Sequence, residues 1–197
     1  KLRRVMDGRF KQHRVTSLIN PTFEAACSYL RRLENSDEPI AFDIEVIANE
    51  TACIGFANNA HDGMCINFRD ATTNRYSIQE ESLLRDRIQE LFCDPTNRFI
   101  AQNGSFDCGW LWYKDRIKVP RVWFDTLLAH HTLYPRMPHN LGYLTAQYTD
   151  HPYYKDEGKT WREGGNINQF WDYNVKDCCI TWAVHEAEAK ELKAQEL

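Results

Sequence analysis

"IAFDIEVIANE", residues 40–50, sets two carboxylates, Asp43 and Glu45, inside a run that otherwise reads as a buried strand. Ile40, Phe42, Ile44 and Val46 alternate with Ala41, Asp43 and Glu45. A period of two is the signature of a strand, so the four apolar residues share one face and the two acids share the other. Like charges at that spacing repel, and one would be driven to bind a proton unless a cation sits between them. The stretch therefore predicts a strand and demands a counter-charge from elsewhere in the chain.

Outward from this strand, the chain reads as one α/β domain. "CIGFA" (53–57) and "MCINF" (64–68) are two more strands, separated by the turn cluster "NNAHDG", which makes a three-stranded meander. A helix is expected from Ser77, where Ser77 and Glu80 have capping-box spacing and Leu84, Ile88, Leu91 and Phe92 share a face. Pro95 closes it. "RFIAQ" (98–102) is a short strand that leads into "NGSFDCGWLWY", a loop entering a helix. "RVWF" (121–124) is another strand, after which Asp125 caps a helix that Pro135 ends. A short helix covers about 140–148, a polar, glycine-containing surface loop covers 149–168, and a last helix runs from about 169 to the end. A meander followed by alternating helices and strands implies a mixed sheet flanked by helices.

Composition is compatible with this and excludes several classes. The 197 residues are enough to bury a sizeable core, and 43% are hydrophobic. No apolar run approaches the ~18 residues that span a bilayer, and no secretory leader is visible. Seven cysteines without a CxxC pair read as reduced thiols, and a cytoplasmic location is expected. There is no GxGxxG or GxxxxGK[ST] pattern for a phosphate loop. A net charge of −4 argues weakly against nucleic acid, but that argument fails if several acids hold metal ions. Residues 1–37 are read as a basic N-terminal arm and leading helix, and 38–197 as the main domain. Because the chain starts at Lys and stops inside a helical pattern, it is expected to be a piece of a longer protein.

Three places put an acid among apolar residues: Asp43 and Glu45 on the strand, Asp107 in "NGSFD", and Asp177 in "YNVKD". Asn103 precedes Asp107 by four residues and Tyr173 precedes Asp177 by four, which on a helix places each pair on one face. Read singly, each has an ordinary explanation, such as helix-dipole compensation for Asp107. Taken in this order and on these elements, they point to a common centre.

"FDIE", "NGSFD" and "YNVKD" resemble the three motifs of the DEDD 3′–5′ exonucleases, in the variant whose third motif carries tyrosine. The similarity is closest to the proofreading domain of family A DNA polymerases and their phage branch, and it covers roughly residues 38–190. "FDTLLAHHTLYP", "HNLGYLTAQYT" and "PYYKDEGK" are weaker echoes. The resemblance implies a ribonuclease H-like fold and two Mg²⁺ or Mn²⁺ ions held by Asp43, Glu45, Asp107 and Asp177. It implies that Asp43 bridges the ions, Glu45 and Asp177 complete the tighter site, and Asp107 acts largely through water. Tyr173 would orient the attacking water, and Asn103 would steady the substrate or an acid. The expected partners are a single-stranded DNA 3′ end and a polymerase domain C-terminal in the same polypeptide. Hard divalent ions prefer carboxylate oxygens, so an all-acid set without Cys or His fits Mg²⁺ or Mn²⁺ and not zinc.

Where relatives wedge a leucine against the terminal base, this chain has Val46, Ile47, Ala48 and Asn49; Val46 or Ile47 could take the wedge's place, and Val46 and Asn49 are assigned to the substrate. Of seven aromatic residues near the motifs (Phe106, Trp110, Trp112, Tyr113, Tyr143, Tyr153, Tyr154), most are expected in the core. Phe106 beside the second motif, with Tyr143 and Tyr154, is assigned to the substrate. Lys155, Lys159 and Arg162 could meet phosphates from the long loop. His130, His131, His139 and His151 fit no common zinc spacing and are read as structural. The competing readings are an RNA-trimming exonuclease of the ribonuclease D kind and a non-catalytic module that binds single strands or docks a polymerase.

Overall fold

The computed structural model describes residues 14–70, 72–160 (side chains up to 158) and 166–197. A six-stranded mixed sheet forms its centre. In chain order the strands are β1 (Thr16–Leu18), β2 (Ile40–Ile47), β3 (Glu50–Ala57), β4 (Asp62–Asn67), β5 (Phe99–Ala101) and β6 (Phe124–Asp125). Their spatial order is β1-β4-β3-β2-β5-β6. β2, β3 and β4 form the antiparallel meander, while β5 and β6 add in parallel beside β2, and β1 runs parallel to β4.

The helices follow from local signals. Helix α1 (Phe23–Glu34) is capped by Thr22 and α2 (Ile78–Cys93) by Ser77, with both halves of the expected Ser77–Glu80 capping box formed. α3 (Ser105–Trp110) runs into a π-helical turn at Leu111–Asp115. α4 (Thr126–Leu133) starts at the Asp125 cap, and α5 (Leu141–Tyr148) starts at Asn140. A single turn, α6 (Glu157–Thr160), precedes the long α7 (Ile167–Ala194).

The alternation in β2 sorts its side chains as expected. Ile40, Phe42 and Ile44 join α1 and α2 in one core, where Phe42, Phe92 and Phe99 meet edge-on or tilted. Ala41 and Ile47 join Trp171, Val175, Cys178 and Cys179 of α7 on the opposite face. The pairing register with β3 shifts between Glu45 and Val46, yet the alternation continues, with Val46 packing toward the first core and Ile47 facing α7. The sheet is thus sandwiched between α1 with α2 and α7, and the acids of β2 lie on the α7 side.

β1 and α1, which the sequence reading set apart with the basic arm, belong to the same sheet and core. Residues 1–13 of that arm lie outside the described residues. The strand expected at 121–124 forms only at Phe124–Asp125. The segment read as a surface loop, 149–168, instead buries His151 and Tyr154 and contains α6.

Two features of the α7 interface generate tests. Gly55 of β3 faces α7 so closely that an added Cβ would lie 2.3 Å from Asn174 Oδ1 and 2.8 Å from Cys178 Sγ. Gly55→Ala is expected to push α7 off the sheet and to cost about 1–3 kcal/mol in chemical denaturation, the scale of overpacking. Glu188 of α7 is fully buried, and neither carboxylate oxygen has a hydrogen-bond partner among the described residues. Burial, then the charges of Asp125 and Glu191, raise its pKa to about 9. The folded chain therefore keeps a proton that the unfolded chain releases above pH ~4.5, and stability drains from this group as pH rises toward 9. Glu188→Gln should remove that slope. Its stability relative to the parent should grow by roughly 1 kcal/mol per pH unit between pH 5 and 8, and a constant difference in urea melts would contradict the assignment.

Candidate active site

Elements distant in sequence deliver the acids to one place. Asp43 and Glu45 come from β2, and Asp177 comes from the middle of α7. One carboxylate oxygen from each of the three lies within 4.8 Å of the others, the only such group of three potential ligands among the described residues. Asp43 is held by Asn174, whose amide donates to Asp43 Oδ2 at 2.8 Å and to the Asp43 carbonyl at 3.2 Å. Gly55 pairs with Asp43 across the β2–β3 ladder, and its missing side chain lets Asn174 reach that far. Asn174 sits inside the quoted "YNVKD" but is not among the sequence candidates, and its contact with Asp43 emerges only from the fold.

Asp107 stands beside this trio rather than within it. Past Ala41, β2 has no β5 partner, and Asp107 accepts the Ile44 N–H at 3.1 Å. The residue is 6% exposed, and burial lifts its pKa to about 6 against the lowering effect of that N–H. Asp43 is pushed well above the ordinary carboxylate range by burial first, and then by the charges of Asp107, Asp177 and Glu45. Asp107 is placed from behind by Asp125, which accepts N–H groups from Asn103 at 3.0 Å, Gly104 at 2.8 Å and Leu127 at 2.9 Å. One carboxylate thus caps α4 and fixes the loop that enters α3.

The third-motif side is packed with hydroxyls and one cation. Tyr154 donates to Asp177 Oδ1 at 2.5 Å, and Lys155 Nζ donates to Asp177 Oδ2 at 2.7 Å and Oδ1 at 2.9 Å. Lys155 Nζ also reaches the Tyr173 oxygen at 2.6 Å. Burial and the charges of Asp177, Glu45 and Asp43 push the Tyr173 hydroxyl well above its usual pKa, so it stays protonated near neutrality. Its ring is covered by Gly158 of α6, where an added Cβ would meet ring carbons at 3.0–3.1 Å.

The donor set answers the charge problem that β2 poses. Three carboxylates around one point, with the first of them strongly raised, call for positive charge, and oxygen-only ligands suit a hard divalent cation. Lys155 supplies part of that charge. A cleft of about 460 Å³ opens beside the acids and is lined by Asp43, Gln102, Asn103, His139, Lys155 and Asp177 among others.

The remaining sequence candidates divide. Asn103 lines the cleft in a left-handed conformation (φ 58°) that Asn tolerates well. Phe106 is 55% exposed and stacks on Trp110. Asn49 is exposed in the β2–β3 turn, where Ala48 and Asn49 both have positive φ, so hairpin geometry already accounts for it. Val46 is half-buried against the α1–α2 core. Tyr143 is half-buried beside His130. Tyr154 is 2% exposed, so it has no ring face for a base and instead backs Asp177. The side chain of Lys159 and all of Arg162 lie outside the described residues.

The expectation that most of the aromatics are core is also corrected. Trp112 and Tyr113 are exposed like Phe106, because the outer face of α3 and its π-helical turn looks away from buried Leu111, and Tyr153 is exposed in the segment before α6. His130 and His131 both reach His139, with ring nitrogens 2.8 and 3.2 Å apart. They nevertheless supply no group of three ligand atoms of the kind that the acids form.

Comparison with known proteins bears on the fold and the family. The chain resembles the catalytic core of RRP6 from Trypanosoma brucei, at 16% identity over 92% of this chain and 48% of that one, with a TM-score of 0.69. It resembles Escherichia coli RNase D, an exoribonuclease involved in structured RNA processing, at 14% identity over 92% and 46%, with a TM-score of 0.65. It also resembles the POL domain of Pol1 from M. smegmatis in complex with DNA primer-template and dNTP, at 15% identity over 92% and 28%, with a TM-score of 0.63. The chain spans less than half the length of each, and at these identities the likeness is one of ribonuclease H-like fold. No curated protein matches the sequence. A family model described as 3′–5′ exonuclease, of the DNA polymerase A type, matches residues 19–193. With nearly its whole length matched, the chain belongs to this 3′–5′ exonuclease family.

Proposed function

We propose that the protein is a metal-dependent 3′–5′ exonuclease that removes nucleoside 5′-monophosphates from single-stranded or frayed DNA ends, as the proofreading domain of a polymerase that follows in the same polypeptide. The observation that carries this reading is the convergence of Asp43, Glu45 and Asp177, with Asp107 alongside, in a chain of this family. The carboxylates would hold two Mg²⁺ or Mn²⁺ ions, which supply charge stabilisation for the attacking and leaving oxygens and a lowered pKa for bound water.

The chain's own groups account for the rest. Tyr173, kept protonated, has a hydroxyl available to orient the attacking water. Asn103 on the cleft wall is positioned to steady the terminal nucleotide, and the exposed ring of Phe106 offers a base a stacking surface. No histidine base is required by this chemistry, because a bound divalent ion would lower the pKa of the attacking water.

RNA is the second reading, favoured by the likeness to RNase D. The acids act on the phosphate alone, so discrimination must come from contacts to the 2′-hydroxyl. Matched end-labelled DNA and RNA oligonucleotides, incubated with Mg²⁺ or Mn²⁺ and then with EDTA, test both. Shortening from the 3′ end that EDTA stops, faster on DNA, is expected; no shortening of either polymer under any metal condition contradicts the proposal.

Asp43→Ala should reduce cleavage by roughly 10³-fold or more, since several kcal/mol of charge stabilisation rest on it. Single-strand binding should persist, because stacking and backbone contacts carry it. Tyr173→Phe removes one orienting hydroxyl and should slow turnover roughly 10–100-fold, with little change in KM. Parent-like rates from either variant would misplace the centre.

A further inference from the structure

Lys155 lies outside the three motifs, yet its ammonium is the group most fully engaged with them. Its three donors are used on Asp177 Oδ1, Asp177 Oδ2 and the Tyr173 oxygen, at 2.9, 2.7 and 2.6 Å. The charge also rides 4.6 Å from the centre of the Tyr173 ring. Both oxygens of Asp177 are therefore taken, and Oδ1 receives Tyr154 as well.

A divalent ion shared by Asp43, Glu45 and Asp177 must use one of those same oxygens. An ammonium bonded to both oxygens and a dication bonded to one would stand within a few ångströms of each other in a poorly solvated place, where like charges repel strongly. The backbone around Lys155 is pinned independently. Tyr154 is buried against Asp177, Gly158 lies on the Tyr173 ring, and Glu157 pairs with Lys176 at 2.5 Å. The lysine stem, however, is unbranched and freely rotating, and its side chain is 24% exposed beside the cleft lined by Gln102, Asn103 and Asn140.

We propose that Lys155 is a displaceable cation: it holds Asp177 and Tyr173 in place in the metal-free protein and swings into the cleft when a divalent ion takes the Asp177 carboxylate. This rests on the metal-site reading above. It makes Lys155 a positioning residue that spares the acids their mutual repulsion before metal arrives.

Two measurements on the full chain test it, with Mn²⁺ alone as the probe. After EDTA treatment and exchange, calorimetric titration should show Lys155→Met binding Mn²⁺ on the order of 10-fold tighter than the parent. The metal-free variant should also melt at a lower temperature than the metal-free parent. Reductive methylation of the unmutated protein, mapped by mass spectrometry, should show Lys155 labelling that rises several-fold with Mn²⁺. Lys190, whose side chain is 76% exposed, serves as the internal reference.

Equal or weaker Mn²⁺ binding by the variant, or Lys155 labelling that ignores Mn²⁺, overturns the inference while leaving the metal site standing. Absence of Mn²⁺ binding in both proteins overturns the metal site and the inference with it.

Discussion

Everything in this fold accommodates one electrostatic constraint: carboxylates from β2 and α7 point at the same place from a poorly solvated sheet face. Two unit charges about 5 Å apart at an effective dielectric of about 20 repel by about 3 kcal/mol, and here three such pairs coexist. A protein left with that repulsion would open the site or protonate it. The surrounding structure resists opening. Asn174 grips Asp43 through the gap that Gly55 leaves, Ile44 donates its N–H to Asp107, and Tyr154 and Lys155 hold Asp177 from the other side. A site built this way is primed for cations, and its own lysine supplies the first.

The constraint also explains why the domain takes this shape. An acid pair on a strand needs both an apolar underside, which Ile40, Phe42 and Ile44 give to α1 and α2, and an opposite face reached by a long helix. α7 meets that face at two close approaches, Gly55 and Gly63, where a side chain on the sheet would collide with Asn174 or Val175. Moving the helix outward by the width of a methyl group would separate Asp177 and Asn174 from β2. Core packing and site geometry are the same contact seen from two sides.

Much of this was legible in the sequence because the signals are local. The period of two in residues 40–46, the Ser77–Glu80 box and the Asp125 cap each act over a few residues, and each forms as read. The spacing of the third motif put Tyr173 and Asp177 on one helical face, where a single ammonium, that of Lys155, touches both. What was not legible depends on long-range placement. Asn174 looks like one more polar residue on a helix until Gly55 brings it to Asp43 across 131 positions. Tyr154 and Lys155 sit in a polar, glycine-containing stretch that reads as solvated loop, and only their capture by Asp177 folds them inward. β1 is three residues without alternation, too short to register. The exposed rings of Trp112 and Tyr113 misled for the same reason: aromatic content predicts burial on average but does not say which face of a short helix looks outward.

The family match supplies the class of chemistry, and the carboxylate geometry supplies the place for it. What joins the two is the claim that divalent cations, rather than protons, offset the charge of Asp43, Glu45 and Asp177. Diffraction data recorded at the manganese absorption edge from crystals soaked in Mn²⁺ test that claim most directly. The account predicts an anomalous peak at coordination distance from all three residues. Ordered carboxylates with no peak between them at saturating Mn²⁺ would contradict it.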